Sequence, residues 1–172
     1  MIPGNQFVEL NKVAHDRNAF DCGTEELNRL LQQFAAKHRA AGVSITMVLT
    51  TAESEAEICA YYTLSHTEIK RESLPDSTAK KLPQYPIPVI LIAQIAVHLK
   101  AQGQGTGKAT PIRALQHAYE INKHLPSFAV VVDALNGEFQ GFYDQFGFEQ
   151  LDTHNYKKRI FLPMKTVTQL FE

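Results

Sequence analysis

The sequence predicts a mixed α/β domain in which helices flank a sheet. Segments rich in β-branched and aromatic residues alternate along the chain with longer segments whose apolar residues recur at helical spacing. The 172 residues, 44% of them apolar, also match the size and composition of one globular domain. The sequence has no internal repeat and no long linker. Residues 1–172 therefore form one predicted domain in the order β-α-β-β-(α)-β-α-β-α-β-β.

The first half of the chain predicts a strand, a helix and a hairpin. Residues 7–13 alternate weakly in polarity and predict the first strand. Thr24 is the predicted cap of a helix that has two glutamates in its first turn and stops at Gly42. The hairpin joins strands at 44–51 and 57–67 through an acidic loop. The apolar stripe of the helix consists of Leu27, Leu30, Leu31 and Phe34.

The second half predicts alternating helices and strands and ends in two strands and a tail helix. Residues 68–82 are mostly polar and predict a surface segment with a short helix, after which three prolines keep the chain extended. A glycine cluster leads into a helix whose predicted apolar face consists of Ala114, Ala118, Ile121 and Leu125. The other predicted elements are strands at 89–97, 128–132, 148–151 and 157–162, a helix at 138–146 and a short helix after Pro163.

Charge, cysteine content and hydropathy disfavour several classes of protein. The formal net charge of −1 gives no overall attraction to nucleic acid or acidic membranes. Cys22 and Cys59 do not stand in a metal-binding spacing, so we expect no metal and reduced thiols, with one bridge between them left open. The longest apolar stretch, residues 89–97, is interrupted by Gln94 and is far too short to span a membrane. The N-terminus lacks a signal-peptide pattern, and we expect a cytoplasmic protein without a membrane partner.

A glycine-rich segment, residues 102–108, stands between a buried strand and a helix. In this context backbone N–H groups and the helix dipole form an anion-binding site. A nucleotide-binding P-loop is excluded, because Gln102 replaces its first glycine and Ala109 its hydroxyl residue. A dinucleotide-binding loop is disfavoured, because the third glycine comes one residue early. The remaining pattern, Q/R-x-x-G-x-G/A, is filled by Gln102, Gly105 and Gly107.

The loop pattern is similar to the pyrophosphate-binding loop of the GNAT superfamily of N-acetyltransferases. Further blocks extend the match over roughly residues 20–164, which resemble the GNAT toxins of type II toxin–antitoxin pairs. The blocks at 20–23 and 85–88 are much more specific to that subfamily than the glycine loop is. In order, the matching blocks are Phe20-Asp21-Cys22-Gly23 with Glu26-Leu27-Asn28, Tyr61-Tyr62-Thr63-Leu64-Ser65, Leu82-Pro83-Gln84-Tyr85-Pro86-Ile87-Pro88, Val131-Val132-Asp133-Ala134, Phe142-Tyr143-Asp144-Gln145-Phe146-Gly147-Phe148 and Leu162-Pro163-Met164.

This resemblance implies a GNAT fold, with a mostly antiparallel sheet splayed between strands 4 and 5, and an acetyl-CoA-dependent N-acetyltransferase. It implies acetylation of the α-amine of aminoacyl-tRNA, a homodimer, and inhibition by a ribbon-helix-helix antitoxin. Tyr143 is the implied proton donor to the leaving thiolate. The implied acetyl-CoA site comprises Ile95, Ala96, Val97, Gln102, Gly103, Gln104, Gly105, Thr106, Gly107, Lys108, Asn136 and Phe142.

Two segments depart from the pattern of the subfamily. Gln94 and His98 stand where relatives carry an arginine and an aspartate. The helix after the loop carries Thr110-Pro111 and Arg113 where relatives tend to have a leucine-rich sequence and an aspartate. Pro111 removes a backbone donor and disfavours helix at Thr110, so we expect the helix after the loop to start late or to kink.

Several other residues are interpreted as structural. His66 and His98 are expected to be satisfied surface groups, Tyr61 and Tyr62 ordinary strand residues, and Cys22 a small packed residue. Scattered basic residues bind tRNA phosphates only if they surround one groove. The sequence does not determine whether these residues do so. The candidates are Arg29, Lys37, Arg39, Lys80 and Lys81.

Two alternative functions share the predicted acetyl-CoA site. One is a GNAT enzyme that acetylates a small amine or a protein amine and needs no basic groove. The other is a CoA-binding module whose altered loop has reduced activity.

Overall fold

The structure, a computed structural model, describes residues 1–133, 140–151 and 159–172. Within these residues, seven strands form one sheet in the order β1-β2-β3-β4-β5-β7-β6. The strands are β1 (Pro3–Glu9), β2 (Ile45–Thr51), β3 (Ile58–Ile69), β4 (Ile87–Val97), β5 (Ala129–Asp133), β6 (Glu149–Gln150) and β7 (Arg159–Pro163). The helices are α1 (Glu25–Arg29), α2 (Ala35–Ala40), α3 (Asp76–Ala79), α4 (Thr106–Asn122), α5 (Gln140–Phe146) and α6 (Met164–Phe171).

The sheet is mostly antiparallel, with one parallel pair. β1 with β2, β2 with β3, β5 with β7 and β6 with β7 are antiparallel. β4 and β5 run parallel, and Ile90–Ile92 pair with Val130–Val132. In the described part of the chain this register ends at Ile92, whereas β4 continues to Val97. The architecture confirms the predicted fold class and most of the predicted element order.

Packing divides the chain into two compact units. The first unit contains Met1–Ser65 and Ala93–Ala114. One cluster in its core joins the segment before α1, the helix itself and the sheet, and consists of Phe20, Cys22, Leu27, Leu31, Val48, Ile58, Tyr61 and Ala96. A second cluster contains Leu49, Cys59, Ala60, Val97 and Ala101. Cys22 and Cys59 are free, buried thiols, so the bridge left open by the sequence does not form.

The second unit contains His66–Ile92 and Leu115–Glu172. The predicted surface segment forms a 3-10 turn at Arg71–Ser73 followed by α3, and the chain then enters β4. β4, β5 and β7 supply most of the core of this unit, which includes Ile87, Val89, Ala129, Val131 and Phe161. The predicted tail helix is present as α6 and packs on β5 and β7.

The first helical segment differs from its prediction in two respects. The Thr24 side chain makes no capping hydrogen bond. A π turn at Leu30–Phe34 separates α1 from α2. Because a π turn holds an extra residue, it rotates the residues that follow it around the helix axis. Leu27 and Leu31 of the predicted stripe are buried as predicted, whereas Leu30 and Phe34 are half-buried and Ala35, which follows the π turn, is buried.

α4 begins directly on the glycine loop, so the predicted late start is wrong. Pro111 lies inside the helix, which continues through it to Asn122. Ala114 and Ala118 are buried as predicted, and Leu115 joins them. Leu125 lies past the end of α4 and is 60% exposed, so its assignment to the apolar face is wrong. None of the helices in the described residues is long and apolar enough to cross a bilayer.

Candidate active site

The glycine loop adopts a backbone that requires glycine. Gly103 and Gly105 have φ values of 80° and 85°, a region that L side chains rarely adopt. A Cβ atom added at Gly103, Gly105 or Gly107 would meet no atom within 4 Å. The backbone at these positions therefore borders open space, where a ligand can approach it closely.

The loop presents free backbone donors at the positive end of a long helix. The carbonyl of Gly105 accepts hydrogen bonds from the N–H groups of Lys108 and Ala109, at 3.2 and 3.0 Å. In the described part of the chain, the N–H groups of residues 103–107 donate to no protein acceptor. Consecutive free N–H groups and the dipole of the 17-residue α4 favour a bound anion such as a diphosphate.

The polar side chains of the loop stabilise its own backbone. Gln102 Nε2 donates to the carbonyl of Val97 at 3.1 Å, and Gln104 Nε2 donates to that of Lys100 at 3.1 Å. Thr106 is buried, and its carbonyl accepts the Thr110 hydroxyl at 2.7 Å. Lys108 is exposed. Gln102 and Gln104 thus direct their amide groups to the protein, which leaves their backbone as the part available to a ligand.

The last residues of β4 lead into this loop. Ile95, Ala96 and Val97 have buried side chains, and Ala96 packs in the cluster that contains Phe20 and Leu31. Any contribution of these residues to a ligand must therefore come from their backbone groups. His98 follows and is only 7% exposed, so its predicted surface position is wrong. Both of its ring nitrogens make hydrogen bonds, as predicted.

Tyr143 lies in α5, within the second unit. The residue is only 4% exposed, and its ring contacts Phe148 at 5.1 Å and Phe142 at 5.7 Å between centroids. Burial disfavours the phenolate and raises the pKa of Tyr143 above its ordinary value near 10. The side chain is therefore a protonated phenol at neutral pH. Gly147, with a φ of 82°, ends α5.

Phe142 and Asn136 complete the predicted acetyl-CoA site. Phe142 is half-buried and packs 4.5 Å from Phe146, and its ring lies 5.7 Å from that of Tyr143. Asn136 lies outside the described residues.

The predicted tRNA-binding residues are exposed in both units. Arg29, Lys37 and Arg39 belong to the first unit, and Lys80 and Lys81 to the second. Arg39 forms an ion pair with Glu9 at 2.8 Å, and Arg29 lies over the ring of Phe34 at 5.5 Å.

A small polar cavity in the first unit was missed by the sequence analysis. Its volume is about 10 Å³, near the lower limit for holding one water molecule. The hydroxyl of Ser44 is buried there without a partner in the described structure. Gln94, which interrupts the apolar run of β4, also lines it and was the one signal in the sequence. The remaining lining residues are Leu30, Ala35, His38, Thr46, Tyr61 and Thr63.

Comparison with known proteins gives relatives over nearly the whole chain. A tRNA-acetylating toxin of Mycobacterium tuberculosis is 27% identical over 136 residues, which cover 79% of this chain and 80% of the relative. The solved structure of AtaT complexed with acetyl-methionyl-tRNAfMet has a TM-score of 0.86 and 27% identity, covering 97% of this chain and 99% of that one. AtaTR bound with acetyl-CoA has a TM-score of 0.82 and 28% identity, covering 97% and 98%.

No family model matches the sequence. The relatives and the fold nevertheless agree with each other and with the glycine loop. The resemblance predicted from the sequence is thus confirmed, and the chain is a homologue of the GNAT-type toxins of toxin–antitoxin systems.

Proposed function

We propose that this protein is an acetyl-CoA-dependent N-acetyltransferase that acetylates the α-amine of the amino acid on a charged tRNA and thereby blocks translation. The observation that carries the proposal is the row of free backbone N–H groups at residues 103–107, placed between β4 and the first turn of α4. Homology to tRNA-acetylating toxins and likeness to structures with acetyl-CoA and with acetylated tRNA support the substrates.

The loop holds the diphosphate of acetyl-CoA. Its free N–H groups neutralise the phosphates by hydrogen bonding, and the positive end of α4 adds a favourable field. The open space beside Gly103, Gly105 and Gly107 admits the phosphates to the backbone. The backbone of residues 95–97 receives the pantetheine arm, and an N–H group there polarises the thioester carbonyl.

The acceptor amine attacks the thioester carbon as a neutral group. The reference pKa of an α-amino group is roughly 7.7–8.0, and the neighbouring ester lowers it further, so much of the amine is neutral at physiological pH. Water accepts the proton that the amine loses. A strong protein base is therefore unnecessary in this scheme.

Tyr143 donates a proton to the thiolate that leaves as the amide forms. As a phenol it carries its proton at neutral pH, which is the state that a proton donor requires. Phe142 packs on the Tyr143 ring and restricts its position.

The partners follow from the same proposal. The tRNA phosphates are contacted by exposed basic side chains, namely Arg29, Lys37, Lys80 and Lys81. Arg39 joins them when its ion pair with Glu9 breaks. A ribbon-helix-helix antitoxin inhibits the enzyme, and two copies form a homodimer, as the family resemblance implies. A charged tRNA substrate requires that the protein act in the cytoplasm.

The direct test is acetyl transfer from radiolabelled acetyl-CoA to a pool of charged tRNA by the purified protein. We expect label in acetyl-aminoacyl-tRNA and none in deacylated tRNA. Free amino acids, polyamines and peptide N-termini serve as competing acceptors. Transfer to one of these with none to charged tRNA would replace the proposal by the small-amine or protein-amine function. Binding of acetyl-CoA without transfer to any acceptor would favour the CoA-binding module.

A further inference from the structure

The block Phe20-Asp21-Cys22-Gly23 takes no direct part in the proposed chemistry, yet it forms a hydrogen-bonded turn. Asp21 Oδ1 accepts hydrogen bonds from the Gly23 N–H at 2.9 Å and from Asn28 Nδ2 at 3.0 Å. Asn28 is buried, and its Oδ1 accepts the Cys22 N–H at 2.9 Å. The Gly23 N–H and then the Asn28 amide lower the pKa of Asp21. The side chains of Asp21 and Asn28 thus stabilise the turn by hydrogen bonds to its backbone and to each other.

This turn is bonded to the segment that connects β4 to the glycine loop. The carbonyl of Asp21 accepts the Leu99 N–H at 2.9 Å. His98 Nδ1 accepts the Lys100 N–H at 3.0 Å, so the ring proton lies on Nε2, which donates to the carbonyl of Ala19 at 3.3 Å. The edge of the His98 ring also packs against Phe20, 5.7 Å away.

The connecting segment in turn holds the loop. The Ala101 N–H donates to the carbonyl of His98 at 2.8 Å. The Gln102 and Gln104 side chains donate to carbonyls of Val97 and Lys100. A chain of hydrogen bonds therefore runs from Asn28, through Asp21 and residues 98–101, to the first residues of the loop.

Gly23 shows how closely the turn and this segment are fitted. Its φ is 87°, and a Cβ atom at this position would lie 3.1 Å from Cδ2 of Leu99. A side chain here would strain the backbone and also push on Leu99. The positive φ requires glycine at this position, and the short distance to Leu99 shows that the block lies directly against the connecting segment.

We propose that Asn28 is a positioning residue for acetyl-CoA: by holding Asp21 and the connecting segment, it fixes the start of the glycine loop in the conformation that binds the diphosphate. A glycine-rich loop has many alternative conformations, and ordering it on binding would weaken affinity. Loss of the Asn28 bonds releases that constraint without touching the reacting groups. The proposal rests on the proposed function of the loop.

The test compares Asn28→Ala with Asn122→Ala. Asn122 is a matched control, because its Oδ1 also accepts a backbone N–H, that of Ser127, at 2.9 Å, but in the second unit. Acetyl-CoA binding is measured by calorimetry, KM and kcat by acetyl transfer, and stability by thermal unfolding. We expect Asn28→Ala to raise Kd and KM for acetyl-CoA about tenfold and to leave kcat at saturation within about threefold. Asn122→Ala should lower stability and leave Kd unchanged.

The outcomes separate the two proposals. If the wild-type protein does not bind acetyl-CoA, the proposed function fails. If the wild type binds and folded Asn28→Ala binds equally well, or Asn122→Ala loses the same affinity, the positioning role of Asn28 is wrong. Should Asn28→Ala fail to fold, Asn28→Asp replaces it, since its carboxylate retains the acceptor for Cys22, removes the donor to Asp21 and adds repulsion between the two carboxylates. The same rise in Kd and KM is expected, and an unchanged Kd would overturn the proposal.

Discussion

The hydroxyl of Thr110 donates to the carbonyl of Thr106 at 2.7 Å, one residue before the proline inside α4. Pro111 has no backbone N–H group, so it cannot donate a hydrogen bond to the preceding helical turn. That turn follows directly on the glycine loop. The buried Thr110 hydroxyl therefore adds a bond within the helical turn that the proline weakens.

Replacing Thr110 by valine should reduce the free energy of unfolding by about 1 kcal/mol, because one buried hydrogen bond is lost at nearly constant volume. Chemical denaturation measures this change. An unchanged free energy of unfolding in Thr110→Val would show that the bond contributes nothing.

Gly107→Ala should change stability and affinity in opposite directions. Gly107 lies in the first turn of α4 and does not have a positive φ, so alanine should raise the free energy of unfolding by about 0.5–1 kcal/mol. The added methyl group would occupy the space proposed for the diphosphate, and acetyl-CoA affinity should fall at least about tenfold. Calorimetry and denaturation measure the two effects.

Gly42→Ala serves as the control for this variant. Gly42 has a φ of 76° and lies after α2, away from the loop in sequence. Alanine should lower stability there and leave acetyl-CoA affinity unchanged. Unaltered affinity in Gly107→Ala would contradict the proposed diphosphate site.

Tyr143→Phe should lower kcat about 100-fold or more while acetyl-CoA still binds. Phenylalanine keeps the ring contacts with Phe148 and Phe142, so the variant should fold. Single-turnover acetyl transfer and calorimetry separate chemistry from binding. Tyr119→Phe, which alters a half-buried tyrosine on α4, should have normal kcat. Wild-type kcat in Tyr143→Phe would remove Tyr143 from the proton-donor role.

Acidification should destabilise the fold in part through His117. Burial lowers the pKa of His117 below its ordinary value of 6.5, and Glu120 opposes the shift in part. As the pH falls, the unfolded chain therefore binds a proton at this position before the folded chain does. The stability that His117 contributes is present above about pH 6.5 and is lost as the pH falls through the lower folded value.

Urea denaturation at about pH 7.5 and about pH 5.5 tests this sign. His117→Gln should lose less stability between the two pH values than the wild type does. A variant with the same pH dependence as the wild type would show that other groups account for it.

The sequence by itself determined the fold class, most of the element order and the position of the glycine loop. These features depend on local signals, namely apolar periodicity and glycine spacing, that act over a few residues. The family resemblance also singled out Phe20–Gly23 and Tyr143. The contacts of the Phe20–Gly23 block could not be predicted from the sequence.

Only the tertiary structure decided the features that depend on residues far apart in the chain. Burial of His98 requires Ala19 and Phe20 beside it, and the bond from Leu99 to Asp21 joins segments that no periodicity connects. Leu27 and Leu31 of the predicted stripe are buried, but after the π turn at Leu30–Phe34 it is Ala35, not Phe34, that is buried. The local pattern was compatible with either set of buried residues. Packing of the helix against the sheet selected the set Leu27, Leu31 and Ala35.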